Sequence, residues 1–210
     1  MLGQSTGWAL FWLMTWSLLG WAGEPQNPHL TVFVVERAGM LAAALANAEG
    51  NADQVFLRAG VDVDWINCNG NKPEASCEKI SQADLTVHVV PRARTMSGDI
   101  FGVAFVENNA GTYADVFFDS IQRLHEQDRA VSLPPILGDV LAHEVGHLLL
   151  GSNSHSPEGI MQPHWQAEQL HSIAKGQMRF TKEQAIKIRS RVLSLRSNER
   201  DEFALAAARE

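Results

Sequence analysis

The sequence predicts an α+β domain: a mixed, twisted sheet with one helix packed on it, followed by a long apolar helix and further C-terminal helices. Three observations predict it. Short runs rich in Val, Ile and Thr recur through the first half of the chain. One alanine-rich helical stretch interrupts them early. After Phe118 the apolar spacing changes from period two to period 3.6 and stays there.

Each element follows in order. HLTVFVVE, His29–Glu36, reads as a strand because it is rich in β-branched residues. Residues 40–59 read as a helix, with Leu41, Leu45, Ala48, Ala52, Val55 and Phe56 at helical spacing and Gly60 as the stop. Residues 61–66 alternate Val, Asp, Val, Asp, Trp, Ile, the pattern of a half-buried strand. LTVHVV, Leu85–Val90, is a third strand ended by Pro91. Residues 101–106 and 112–118 are two more, and the intervening ENNAG carries the Asn and Gly of a hairpin turn. Asp119 is placed to cap a helix that runs to about Gln127. The next helix starts after Pro134-Pro135 and reaches Leu150, with Gly151 beyond it. A short helix covers 166–175. Thr181-Lys-Glu-Gln184 has the form of a capping box and opens a helix to about Leu195. The remainder, 198–210, is a charged and then alanine-rich tail that either extends that helix or frays.

With 210 residues, the chain is long enough for one domain with a sizeable core, expected over residues 28–197. Its net charge of -7 argues against nucleic acid as a partner, because phosphate binding requires a basic face. Residues 1–22 contain no charged side chain, an apolar run from Trp8 to Leu19, and the small residues Gly20 and Ala22. They read as a signal peptide and place the protein outside the cytoplasm, secreted or periplasmic. The run is short for a membrane span, so the membrane is a partner only if this segment stays uncleaved. Cys68 and Cys77 flank a loop of Gly, Asn, Pro and Ser, and in an exported protein they read as one disulfide.

The stretch that carries chemistry is HEVGHLLLGSNSHSPEGIM, residues 143–161. On a helix, residues four apart share a face, so His143 and His147 can meet one metal ion. Glu144 lies about 100° round the helix from His143, close to the metal without having to bind it. Zinc suits imidazole ligands, and it lowers the pKa of a bound water to about 7. Glu144 then serves as the base that activates this water. One catalytic zinc needs a third protein ligand. His155 leads, because Gly151 can turn the chain back; His164 or a carboxylate such as Glu158 or Glu168 are the alternatives. The competing reading is a core helix that happens to carry histidines. It leaves two imidazoles and a carboxylate buried without a partner, which is costly.

These residues resemble the zinc site of the metzincin metallopeptidases, whose motif is H-E-x-x-H-x-x-G-x-x-H followed by a Met-turn. His143, Glu144 and His147 match in place. Gly151, His155 and Met161 match in order, with one extra residue before the glycine and another before the third histidine. HSPEGIMQPHW is similar to the Met-turn region of matrixin-type members, and the chain resembles secreted bacterial proteins carrying an HE-x-GHLLLG string. The resemblance implies a zinc endopeptidase acting on peptide or protein substrates, with Met161 as an apolar floor beneath the histidines. It also implies substrate laid along a sheet edge by strand addition. The strand at 111–118 is the candidate edge, with Thr112, Tyr113 and Ala114 as its substrate-edge residues; the alternative is a buried strand. The rival function is a non-catalytic zinc-containing binding or structural module of the cell envelope; an intact Glu144 argues against it.

Overall fold

The computed structural model describes residues 26–68, 77, 84–93 and 100–207. The candidate signal peptide at 1–22 lies outside the described residues. The fold is α+β, with a five-stranded mixed sheet. Strands β1 (His29–Glu36), β2 (Asp62–Asn67), β3 (Leu85–Val90) and β5 (Ala110–Phe117) are parallel, and β4 (Gly102–Glu107) runs antiparallel to β5. Their order across the sheet is β2-β1-β3-β5-β4. Helix α1 (Ala42–Arg58) crosses between β1 and β2 and packs on the sheet with its Leu45, Ala48, Ala52, Val55 and Phe56 face buried.

The expected edge strand is corrected here. β5 is internal, so Thr112, Tyr113 and Ala114 do not form an open edge. Tyr113 pairs with Thr86 on one side and Phe105 on the other. The cause is the hairpin. Asn108 and Asn109 both adopt left-handed backbone, with φ of 51° and 60°, which is the geometry of a two-residue turn that matches strand twist. This turn folds β4 onto the outer side of β5, and β4 becomes the edge. The Tyr113 hydroxyl is bonded to Asp115 and lies 3.1 Å from His88 Nδ1, on the sheet face opposite buried Ala114 and Val116.

Beyond the sheet the chain is helical. Helix α2 (Phe118–Gln127) begins one residue before the expected cap. Asp119 therefore sits in the first turn, where it suits the positive end of the helix dipole and bonds Arg123 at 3.0 Å. Helix α3 (Leu133–Leu150) takes both prolines into its first turn, where their missing N–H groups cost nothing. Every residue from Ile136 to Leu149 is buried, because α1 and the sheet enclose the helix together with α5. Apart from Asp139, His143, Glu144 and His147 the buried part of the helix is apolar all round, as such enclosure selects.

Helices α4 (Ala167–Ala174) and α5 (Lys182–Ala207) complete the domain. The capping box at α5 is present: the Gln184 N–H donates to Thr181 Oγ1 at 3.3 Å and the Thr181 N–H donates to Gln184 Oε1 at 2.9 Å. Thr181→Ala should lower stability by about 1 kcal/mol. A shift of the urea midpoint without a change in slope is the readout. The helix runs on to Ala207, so most of the 198–210 tail extends it. Cys68 and Cys77 are joined, with Cα atoms 5.9 Å apart. Among the described residues no helix is long and apolar enough to cross a membrane.

Candidate metal centre

The centre is built on α3. His143 and His147 project from adjacent turns, with ring centroids 4.7 Å apart and both residues buried. The helix ends at Gly151, whose φ of 64° is left-handed and whose missing Cβ lets the Asn109 carbonyl of the hairpin turn lie against it. The chain reverses there and brings the exposed His155 back over the helix. Its ring lies 5.4 Å from that of His143 and 4.9 Å from that of His147. One ligating atom from each of the three rings lies within 4.8 Å of the others. Among the described residues no other set of three or more His, Cys, Asp or Glu is so grouped, which leaves His164, Glu158 and Glu168 outside it.

Two backbone carbonyls orient the helical pair. His143 Nδ1 lies 2.7 Å from the Ile160 carbonyl and His147 Nδ1 lies 2.8 Å from the Ser152 carbonyl. A carbonyl only accepts, so both Nδ1 atoms carry the proton and both Nε2 atoms present lone pairs. Those two Nε2 atoms are 3.0 Å apart. Two acceptors at that distance repel unless a cation lies against both, so the donor set fits a metal that favours imidazole, zinc above all. Burial pushes the His143 imidazole down to about 3, so it stays neutral and able to ligate. Partial burial and then the neighbouring His164 lower His155.

Glu144 is 4% exposed, and burial pushes its carboxyl up to about 8. A dication beside it would favour the ionised form. It lines a cavity of about 660 Å³ with the three histidines, walled by Ile100, Val103, Val140 and Trp165. Among the described lining residues it is the one carboxylate. The Trp165 ring meets His143 edge-on at 5.8 Å. Met161 is fully buried, and a Cβ on Gly146 would come within 2.9 Å of its sulfur. The glycine of HEVGH thus lets Met161 and Phe180 close against the helix between the two histidines.

Strand β4 borders the same cavity through Gly102, Val103 and Ala104. The Phe117 N–H donates to the Phe101 carbonyl at 2.8 Å. Antiparallel pairs alternate, so Phe101 and Val103 turn their hydrogen-bonding groups to β5, while Gly102 and Ala104 direct theirs to the open edge. Gly102 and Gly146 escaped the sequence reading. For Gly102 a signal existed: a glycine inside a strand pattern marks a close approach.

No family model matches the sequence, and no curated protein does. Solved structures do match, among them two that cover most of the chain. Metalloproteinase-II from Bacteroides fragilis is 12% identical, with a TM-score of 0.51 over 80% of this chain. The match takes in 54% of that protein, so this chain spans about half its length. A zinc-dependent peptidase from Methanocorpusculum labreanum is 13% identical, with a TM-score of 0.51 over 75% of this chain and 99% of that one. The chain therefore shares the fold of metal-dependent peptidases.

Proposed function

We propose that the protein is an exported zinc-dependent endopeptidase. The observation that carries this reading is the pair of imidazoles locked by the Ile160 and Ser152 carbonyls, with His155 beside them and Glu144 on the same cavity. His143, His147 and His155 would hold the ion, and Met161 would floor the site. Zinc, when bound, supplies a Lewis acid that polarises the scissile carbonyl and acidifies water. Glu144 takes the proton from the attacking water and delivers it to the leaving amine. Substrate extends along β4, where the N–H and C=O groups of Gly102 and Ala104, turned away from β5, receive its main chain. The apolar wall of Val103, Val140 and Trp165 accepts a side chain. The Cys68–Cys77 bond supports export, since disulfides persist in oxidising compartments.

Metal analysis combined with cleavage of an unfolded protein substrate tests the reading. The expected result is one zinc per chain and cleavage that a chelator abolishes and added zinc restores. Zinc without cleavage would instead favour a non-catalytic zinc module of the cell envelope. A protein that takes up no zinc would leave α3 as a core helix and end the catalytic reading.

A further inference from the structure

The geometry points to Gly102 as a positioning residue for the general base: the missing side chain on the edge strand is the space that Glu144 occupies. This inference rests on the peptidase reading. A Cβ built on Gly102 would lie 2.6 Å from Glu144 Cδ and 2.6 Å from its Oε1, well inside van der Waals contact. The residue is half-buried in β4 and pairs with Val116, so the strand cannot withdraw without breaking the sheet. The backbone that carries Glu144 is likewise fixed, because it lies on a helix buried along its length, so only the free end of the side chain can yield. Any residue other than glycine at 102 must therefore displace the carboxylate or part the strand from β5.

Gly102 also directs its own N–H and C=O to the open edge. One residue thus sets the depth of the base and borders the path of the substrate's main chain. The gap between scissile carbonyl and base depends on both, and a misplacement of about 1 Å can cost on the order of 100-fold in rate.

The same Cβ would lie 2.7 Å from the Asp115 carbonyl of β5, a contact that has nothing to do with Glu144. The test must separate the two. Gly102→Ala, Glu144→Asp, Glu144→Ala and the doubles Gly102→Ala/Glu144→Asp and Gly102→Ala/Glu144→Ala are compared with wild type. Zinc content, melting temperature, and kcat and KM on an unfolded protein substrate are measured for each. Gly102→Ala should keep its zinc and its KM while kcat falls about 100-fold. In the Glu144→Asp background the same substitution should cost clearly less in kcat, because the shorter acid leaves room for the methyl group and only the Asp115 contact remains. Losses that simply multiply would overturn the assignment.

Stability gives an independent arm. Gly102→Ala should lower the melting temperature in wild type and lower it clearly less beside Glu144→Ala. If Gly102→Ala fails to fold but folds when Glu144 is alanine, the clash with the acid is upheld. If both fail, or the losses are equal, the Asp115 carbonyl is what demands glycine and the inference is wrong. Absence of cleavage by wild type would refute the peptidase reading through kcat, while the stability arm still decides whether Glu144 fills the space at Gly102.

Discussion

Glu144→Ala is expected to lower kcat about 1,000-fold, the range that a general base contributes, with zinc retained at one per chain. The retention follows from the geometry. The three imidazoles that converge are oriented by the Ile160 and Ser152 carbonyls and by the turn after Gly151, and none of these depends on the Glu144 side chain. The rate loss follows from isolation. Among the described residues no second carboxylate lines the cavity, so none of them replaces the base. Glu144→Gln should lose as much as Glu144→Ala, because an amide of the same shape cannot take a proton. KM should change little in either variant, since the strand edge and the apolar wall are untouched. Steady-state kinetics beside metal analysis reads all of this. A glutamine variant that retains most of its activity would mean that the carboxylate is not the proton carrier.

The parts of this fold that were legible in the sequence are those set by local chemistry. The bounds of β1 and β3 follow from β-branched runs and from Pro91. The hairpin follows from Asn108-Asn109, and the start of α5 from the pairing of Thr181 with Gln184. The candidate site was legible for the same reason, because His143, Glu144 and His147 lie within one and a half turns of helix and His155 follows a helix-ending glycine. Strand order was not legible. Whether β4 or β5 forms the edge depends on which of them reaches β3, and that pairing joins residues about 27 apart in sequence through the turn chemistry and sheet twist rather than through composition. Gly102 was missed for a related reason. Its meaning lies in an atom contributed by a helix about 42 residues later. The carbonyls that orient His143 and His147 carry no side-chain signature at all.

Asp139 is another residue that only the folded chain reveals, and it leads to a prediction about pH. It lies one turn before His143 on α3 and is 6% exposed. Burial raises its carboxyl from 3.8 to about 7, against the opposing pull of the Arg58 guanidinium. In the unfolded chain the group ionises at its ordinary value. Below about pH 4 both states hold the proton, and Asp139 makes no difference to stability. Between about pH 4 and 7 the folded state keeps a proton that the unfolded state has released, so stability falls as pH rises. Above about pH 7 both states are ionised, and the loss levels off near 4 kcal/mol, at roughly 1.4 kcal/mol per unit. Asp139→Asn removes the titration but keeps the shape. Urea unfolding should therefore show the variant more stable by roughly 1.6 kcal/mol at pH 5 and by about 4 kcal/mol at pH 8. Their difference cancels carboxylates that the two proteins share and the pH dependence of metal binding, provided both are studied with saturating zinc. Parallel stability curves across that window would show that the Asp139 carboxyl is already solvated or paired in the folded state.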